Sequence, residues 1–253
     1  MSNENDLQSQ KEFYASRTHA HLQPREDDAY STKLVSRLVE SAGIRSDARV
    51  LEVGAGFGRF TFELLEHCDS VVALDLSESA LGVLANARDD RGIAKERCRP
   101  LCGDVQSLDL WKEEEPFDHI IGFFILHHLP DYRAAIARLA PGLLPGGHMV
   151  FVEPNRRNPL YAAQVACCPD MSWANEKGMF RLSGRSVERA YQEAGLMPQP
   201  TRRFGFFPPQ VVNRFPSARR FESGIERMRL FEPMLPFLLL SAQASRSTPE
   251  GGT

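Results

Sequence analysis

The sequence has no run of the ~18 apolar residues that a membrane-spanning helix needs. Its most apolar stretch, Leu235 to Ala244, is short and is interrupted by Pro236. The first dozen residues, MSNENDLQSQKE, are polar and acidic and lack the apolar core of a secretory signal. Cysteine is scarce and odd in number: Cys68, Cys98, Cys102, Cys167 and Cys168. No CxxC pair occurs, and the vicinal Cys167 and Cys168 suit a disulfide framework poorly, so a reducing, cytoplasmic setting is expected. Strong charge of one sign is also missing. A net charge of −3 over 253 residues excludes wholesale nucleic-acid binding, and no KH or RRM signature is present. With 42% apolar and 25% charged residues, the chain reads as a globular protein.

Residues 1–30 are charged and aperiodic and read as a flexible N-terminal or lid segment. Leu34, Val35, Leu38, Val39 and Ala42 then recur at helical spacing, and Gly43 supplies a stop. From Arg49 short apolar runs alternate with helical stretches. RVLEV, SVVALDL, RCRPLCGD, FDHIIGFF and GGHMVFVEP are the runs, and continuous rather than alternating apolarity predicts parallel strands covered on both faces. Residues 154–182 lack periodicity and read as an insertion that caps a substrate cleft. Ser183 opens a helix that ends at Gly195, and TRRFGFF and PFLLLSAQA are candidate final strands. The expected architecture is α/β: a doubly wound, mostly parallel sheet of seven strands with an N-terminal helical lid. Residues 31–245 form a single domain, and 246–253 a disordered tail.

The strongest local signal is VLEVGAGFGRFT, where a buried strand runs into Gly54-x-Gly56-x-Gly58 and then a helix. Glycines let a ligand lie against the main chain without Cβ clashes, and open α/β sheets bind ligands at the carboxyl ends of their strands. A dinucleotide fingerprint would place its third glycine at position 59, which is Arg59, and no GK[ST] follows for a phosphate loop. A plain tight turn is the bland alternative. Asp75 closes the second run, 21 residues after Gly54, where a carboxylate can accept both hydroxyls of a ribose. Asp104 follows the third run, where a carboxylate can accept from an adenine amine; alone, each aspartate also suits a turn or N-cap.

The series VLEVGAGFGRFT, LDLSESAL, CGDV, FDHIIGFFILHHLPD and LLPGGHMVFVEP resembles the class I S-adenosylmethionine-dependent methyltransferases, in particular their small-molecule branch. The likeness covers about residues 30–205 and implies a Rossmann-like methyltransferase fold. It also implies roles. Glu52 and the loop of Gly54, Gly56 and Gly58 would line the methionine end of the cofactor S-adenosylmethionine. Asp75 would hold the ribose, and Leu76 would pack on adenine. Asp104 and Val105 would read the adenine edge, and Phe124 would offer its backbone to the amino-acid portion. The chemistry is compatible: this cofactor has no phosphate, and a lightly acidic pocket suits its sulfonium and α-amino groups.

Methyl transfer from a sulfonium is an in-line displacement in which positioning can supply roughly 7–11 kcal/mol. A base adds about 10²–10⁴-fold where the acceptor must lose a proton. Candidates are His127 and His128 in ILHHLPD, with Glu153 at the end of the fifth strand. His127 is the first choice. His128 can equally bond a loop carbonyl, and Glu153 can orient a substrate group or cap a turn. Ubiquinone-type relatives carry a metal-binding Glu where this chain has His127, so no metal is expected. Tyr14, Tyr161, Met171, Trp173, Met179 and Phe180 suit an apolar or aromatic small-molecule substrate. Ten Arg against four Glu between Arg181 and Arg229 can face an acidic substrate, a carrier protein or nucleic acid, or simply solvent. His19 and His21 either touch the lid or lie in solvent.

The function expected is therefore methylation of a small organic molecule in secondary or quinone-type metabolism, at oxygen first, with carbon and nitrogen open. A non-methylating reaction such as cyclisation in the same pocket is the alternative. A nicotinamide oxidoreductase is disfavoured by Arg59, and a non-catalytic binding subunit would keep the cofactor pocket without turnover.

Overall fold

A computed structural model describes residues 28–107, 114–159, 177–207, 209–215, 218–228 and 230–246. Its centre is one sheet of eight strands: β1 (Arg49–Val53), β2 (Ser70–Asp75), β3 (Cys98–Cys102), β4 (Phe117–Phe123), β5 (Leu143–Pro154), β6 (Met197–Pro198), β7 (Arg202–Phe204) and β8 (Phe237–Gln243). The order is β3-β2-β1-β4-β5-β8-β6, with β7 also on β8. The first five strands are parallel, and β8 runs antiparallel to β5. Seven strands are expected from the sequence; eight are present because the outer edge is in two pieces. β6 pairs with Gln243 and Ala242, β7 with Leu239 to Phe237. Pro200, which has no N–H to donate, falls in the break between them.

The central strands β1, β2, β4 and β8 and the second half of β5 are buried on both sides, which is why those runs are continuously apolar. Val50, Val71, Ile121, Val150 and Val152 point to one face, where α1 (Ala29–Ala42) and α3 (Glu78–Asp90) pack. Leu51, Val72, Ile120, Met149 and Phe151 point to the other, beneath α4 (Tyr132–Leu139) and α5 (Gly184–Glu193). The period of two sends Glu52 to the first face and Glu153 to the second.

Asp28 caps α1, and Gly43 ends it at φ 65°, where its amide meets the Val39 carbonyl. Leu34, Val35 and Leu38 are completely buried, so this helix belongs to the core. The expected lid, with Tyr14, His19 and His21, lies outside the described residues apart from 28–30. A helix is expected over FTFELLEHC, but α2 spans only Thr61–Leu64. Bonds from Glu66 and His67 back to Glu63 and Leu64 tighten the chain and drop Cys68 into the core. The stretch before β8 holds α6 (Pro209–Arg214) and α7 (Ala218–Glu226). Two ion pairs fasten α7 to α1: buried Lys33 with Glu222 at 3.0 Å, and Arg37 with Glu226 at 2.6 Å. Among the described residues no helix is long and apolar enough to cross a membrane.

Candidate functional site

The chain leaves β1 for β2 and β3 on one side and returns to β4 on the other, so strand order reverses between β1 and β4. Splayed loops open a crevice at such a point. The glycine turn sits there. Gly54 and Ala55 donate to the Leu74 carbonyl at 2.8 and 3.1 Å, tying the tip of β1 to that of β2. Gly54, Gly56 and Gly58 all adopt positive φ, at 75°, 53° and 86°. At Gly54 a Cβ would also come within 2.7 Å of the Ile125 side chain, so only glycine lets the turn lie against the loop after β4.

Arg59, which stands where a dinucleotide fingerprint would have its third glycine, has a side chain only 17% exposed. It grips Asp28 through Nε at 2.9 Å and Nη2 at 2.8 Å, and also reaches the Ser31 hydroxyl. Burial pushes the Asp28 carboxyl up, but the Ser31 hydroxyl, the Arg59 guanidinium and the Asn213 amide outweigh it and hold it below its ordinary range. Position 59 thus clamps the turn to α1, a role that turn composition alone does not signal.

Three carboxylates surround the turn. Asp75 accepts the Gly56 amide at 2.7 Å on one oxygen and the Ser77 amide at 2.8 Å on the other. Burial raises its pKa, opposed by those amides. Two of a carboxylate's roughly four acceptor sites are engaged, leaving capacity for a diol. Gly103 donates to the Asp75 carbonyl at 2.9 Å, so the tips of β2 and β3 are joined and Asp104 lies beside Asp75 along the rim. Asp104 accepts its own Gln106 amide at 2.9 Å, Leu76 is half-buried, and Val105 is buried. Glu52 is 1% exposed, beneath the turn, and accepts the Thr61 hydroxyl at 2.6 Å. Burial pushes its pKa up to about 7, the Thr61 bond opposing and the Asp75 charge reinforcing the rise.

At the end of β4, Phe124 takes φ 57°, the one non-glycine in the left-handed region among the described residues. Such backbone persists where its surroundings over-determine it. Here the Phe124 amide donates to the Val152 carbonyl at 2.8 Å, and its ring lies 6.1 Å from Phe60 and 5.6 Å from Phe237. The kink turns the chain into a 3₁₀ turn, Leu126–His128.

Glu153 organises that turn. One oxygen accepts the amides of Ile125 and Leu126 at 2.9 and 2.7 Å; the other lies 2.6 Å from His127 Nδ1. Glu153 is fully buried and His127 is 3% exposed. Both Glu153 oxygens are thus engaged by the protein, one of them by the histidine. A carboxylate at Nδ1 holds the proton on that nitrogen and puts the lone pair of the neutral ring on Nε2. The half-buried His128 ring lies 4.0 Å from that of His127.

The described ends of the cap insertion close over this turn. Gly178, in the 3₁₀ turn Lys177–Arg181, approaches so closely that a Cβ would stand 1.6 Å from the His127 carbonyl oxygen. Arg181 donates to the Pro130 carbonyl at 3.3 Å. Met179 is buried and Phe180 exposed, whereas Tyr161, Met171, Trp173, Cys167 and Cys168 lie outside the described residues. The Gly178 contact, the Arg59–Asp28 clamp and the aromatic stack of Phe60 on Phe123 at 4.2 Å have no periodic or motif signal. They join residues far apart in the chain.

Known proteins resemble this arrangement. The pattern of the family described as "Methyltransferase domain" matches residues 23–199. Phosphoethanolamine N-methyltransferase 1 of Triticum aestivum is 35% identical over 106 residues, covering 41% of this chain and 21% of that protein. Ubiquinone biosynthesis O-methyltransferase of Coxiella burnetii is 31% identical over 112 residues, covering 44% and 46%. The matches thus span less than half the length of these curated relatives. The N-methyltransferase NodS of Bradyrhizobium japonicum, solved with S-adenosyl-L-homocysteine, superposes with a TM-score of 0.59 at 20% identity, over 95% of this chain and 98% of that one.

Proposed function

Since the chain belongs to the methyltransferase-domain family, with S-adenosylmethionine as its cofactor, we propose that it methylates a small organic molecule, at oxygen first and at nitrogen or carbon next. One observation carries this reading. The buried His127–Glu153 pair and the Asp75-tethered glycine turn meet at the carboxyl edge of the same parallel strands.

The residues present suit that cofactor. Three positive-φ glycines leave main chain open to a ligand, the Asp75 carboxylate keeps acceptor sites for a ribose, and Glu52 sits beneath as a buried acid. Asp104 and Val105 would meet the adenine edge, Leu76 its face, and the Phe124 backbone the amino-acid portion. When bound, S-adenosylmethionine supplies a methyl group on a sulfonium, already activated for displacement. The protein then has to orient the acceptor, exclude water and take a proton. Glu153 positions His127 and stabilises the imidazolium that forms when Nε2 accepts the acceptor's proton. The turn Lys177–Arg181 and the aromatic groups Phe60, Phe123 and Phe124 keep the surroundings dry, which suits an apolar or aromatic acceptor. The names of the two curated relatives support oxygen and nitrogen acceptors alike.

The test has two parts. S-adenosylhomocysteine should raise the melting temperature, by about 2.7 kcal/mol of stabilisation at 100-fold over Kd, while NAD and NADP should not. Methyl-labelled cofactor should then deliver label to an acceptor with release of S-adenosylhomocysteine. Turnover without label would establish a non-methylating reaction such as cyclisation instead.

A further inference from the structure

Between β7, the entry to β8, the N-terminus of α5 and the residues just after β5 lies a cleft of about 770 Å³. Arg156, Arg157, Arg185 and Arg203 line it, with Glu188 and Thr201. Four guanidiniums with a single carboxylate in one concavity repel each other unless a counter-charge is present. Among the described residues, the nearby acids offset only part of this charge. Glu188 is turned onto Thr201, accepting its amide at 3.0 Å and its hydroxyl at 2.6 Å. Glu232 reaches only Nη1 of Arg203, at 3.3 Å. The Nε of Arg203 is buried with no acceptor among the described residues. Arg156 donates to a neutral carbonyl, that of Phe180, at 2.7 Å. The positive end of the α5 dipole, beginning at Gly184, adds to the same field.

The register of the sheet places this cleft relative to the chemistry. Glu153 is the partner of Leu238 on β8, and Leu238 is the partner of Arg203 on β7. Cross-strand partners face the same side of a sheet, so Glu153, Leu238 and Arg203 share a face and a level. Two strand spacings separate Glu153 from Arg203, about 10 Å between backbones. Along the carboxyl edge the order is therefore the glycine turn on β1, the histidine turn on β4 and β5, and the arginine cleft on β8 and β7.

We infer that the arginine cleft holds a compact oxyanion, a phosphate monoester above all, carried by the methyl acceptor at the end away from the reacting atom. Arginine suits this because its planar fork donates two parallel bonds to phosphate or carboxylate. The inference rests on the methyl-transfer reading for the identity of the ligand, but the cleft can be tested apart from it.

Inorganic phosphate, titrated calorimetrically into the full chain, should bind, and the Arg185→Gln/Arg203→Gln double variant should weaken it by roughly tenfold or more. Neither arginine belongs to the cofactor site, so S-adenosylhomocysteine should bind that variant as it binds the parent, which also reports that the variant is folded. Phosphate binding that is absent, or indifferent to both substitutions, overturns the proposal. A set of small amines, alcohols and phenols, each with and without a phosphate, then distinguishes a free anion from an acceptor's tail. Release of S-adenosylhomocysteine should be confined to the phosphorylated members, and the double variant should raise KM by about tenfold with kcat little changed. Turnover confined to the unphosphorylated members overturns the proposal while leaving methyl transfer intact. Failure of S-adenosylhomocysteine to bind the parent chain would instead remove the methyl-transfer reading, whatever phosphate does.

Discussion

His127 Nδ1 and Glu153 Oε2 stand 2.6 Å apart, with the other Glu153 oxygen accepting two consecutive amides, those of Ile125 and Leu126. One carboxylate thereby sets the course of the loop and the tautomer of the ring it carries. The ring cannot be reoriented without disturbing the loop that frames the crevice.

This coupling predicts separable effects. His127→Ala should lower turnover by about 10²–10⁴-fold, the usual contribution of a positioned base, with affinity for S-adenosylhomocysteine within about twofold of the parent. Unaltered rates would place proton removal elsewhere. Glu153→Gln keeps the shape but presents one amide donor to groups that are themselves donors. It should cost ~1–3 kcal/mol of stability in addition to activity, measurable by denaturant unfolding alongside kcat.

Asp75 holds the Gly56 and Ser77 amides while keeping acceptor capacity toward the crevice. Asp75→Ala should remove charge-assisted bonds worth about 1.5–3 kcal/mol each. Affinity for S-adenosylhomocysteine should fall by tenfold or more, as read by calorimetry. Retained affinity would show that the ribose is not held at the end of β2.

Glu52 gives a pH signature. Its carboxyl has an ordinary value of 4.5, and burial pushes it up to about 7 in the folded chain. Between those values the folded chain holds a proton that the unfolded chain has released, so stability falls as pH rises through this window and levels off above it. Glu52→Gln, permanently neutral, should be as stable as the parent near pH 4.5, gain on it up to about pH 7 and hold that difference above. Melting temperatures taken across that range check the slope; a constant difference would mean that Glu52 titrates normally.

Gly178 predicts a steric effect. A Cβ there would stand 1.6 Å from the His127 carbonyl oxygen, a backbone atom with little room to yield. Gly178→Ala should force the Lys177–Arg181 turn off the histidine loop, at a cost of ~1–3 kcal/mol, and should lower kcat more than cofactor affinity. A variant with parental melting temperature and kcat would show that the two segments do not touch.

Much of this was legible before any coordinates. RVLEV and SVVALDL are apolar without alternation because a parallel strand is covered on both faces, and both are strands at the expected places. Ser183 announces a helix start because its short side chain accepts an amide of the first turn. Gly54, Gly56 and Gly58 mark the turn because their positive φ values disfavour residues with a Cβ. FTFELLEHC was less legible: its helical rhythm yields to i−3 bonds that pull Cys68 inward, a demand of the core rather than of the segment.

By itself, the sequence determined the alternation of strands and helices, the glycine turn and the acids that follow the strands, since these depend on local propensity and on periodicity of burial. Only the tertiary structure decided what those groups meet. Arg59 finds Asp28, Glu153 finds His127, and four arginines from three separate segments gather in one cleft. For the first two the physical reason is the same: burying a charged side chain is affordable only beside its partner, and that partner is chosen by how the layers pack, not by distance along the chain.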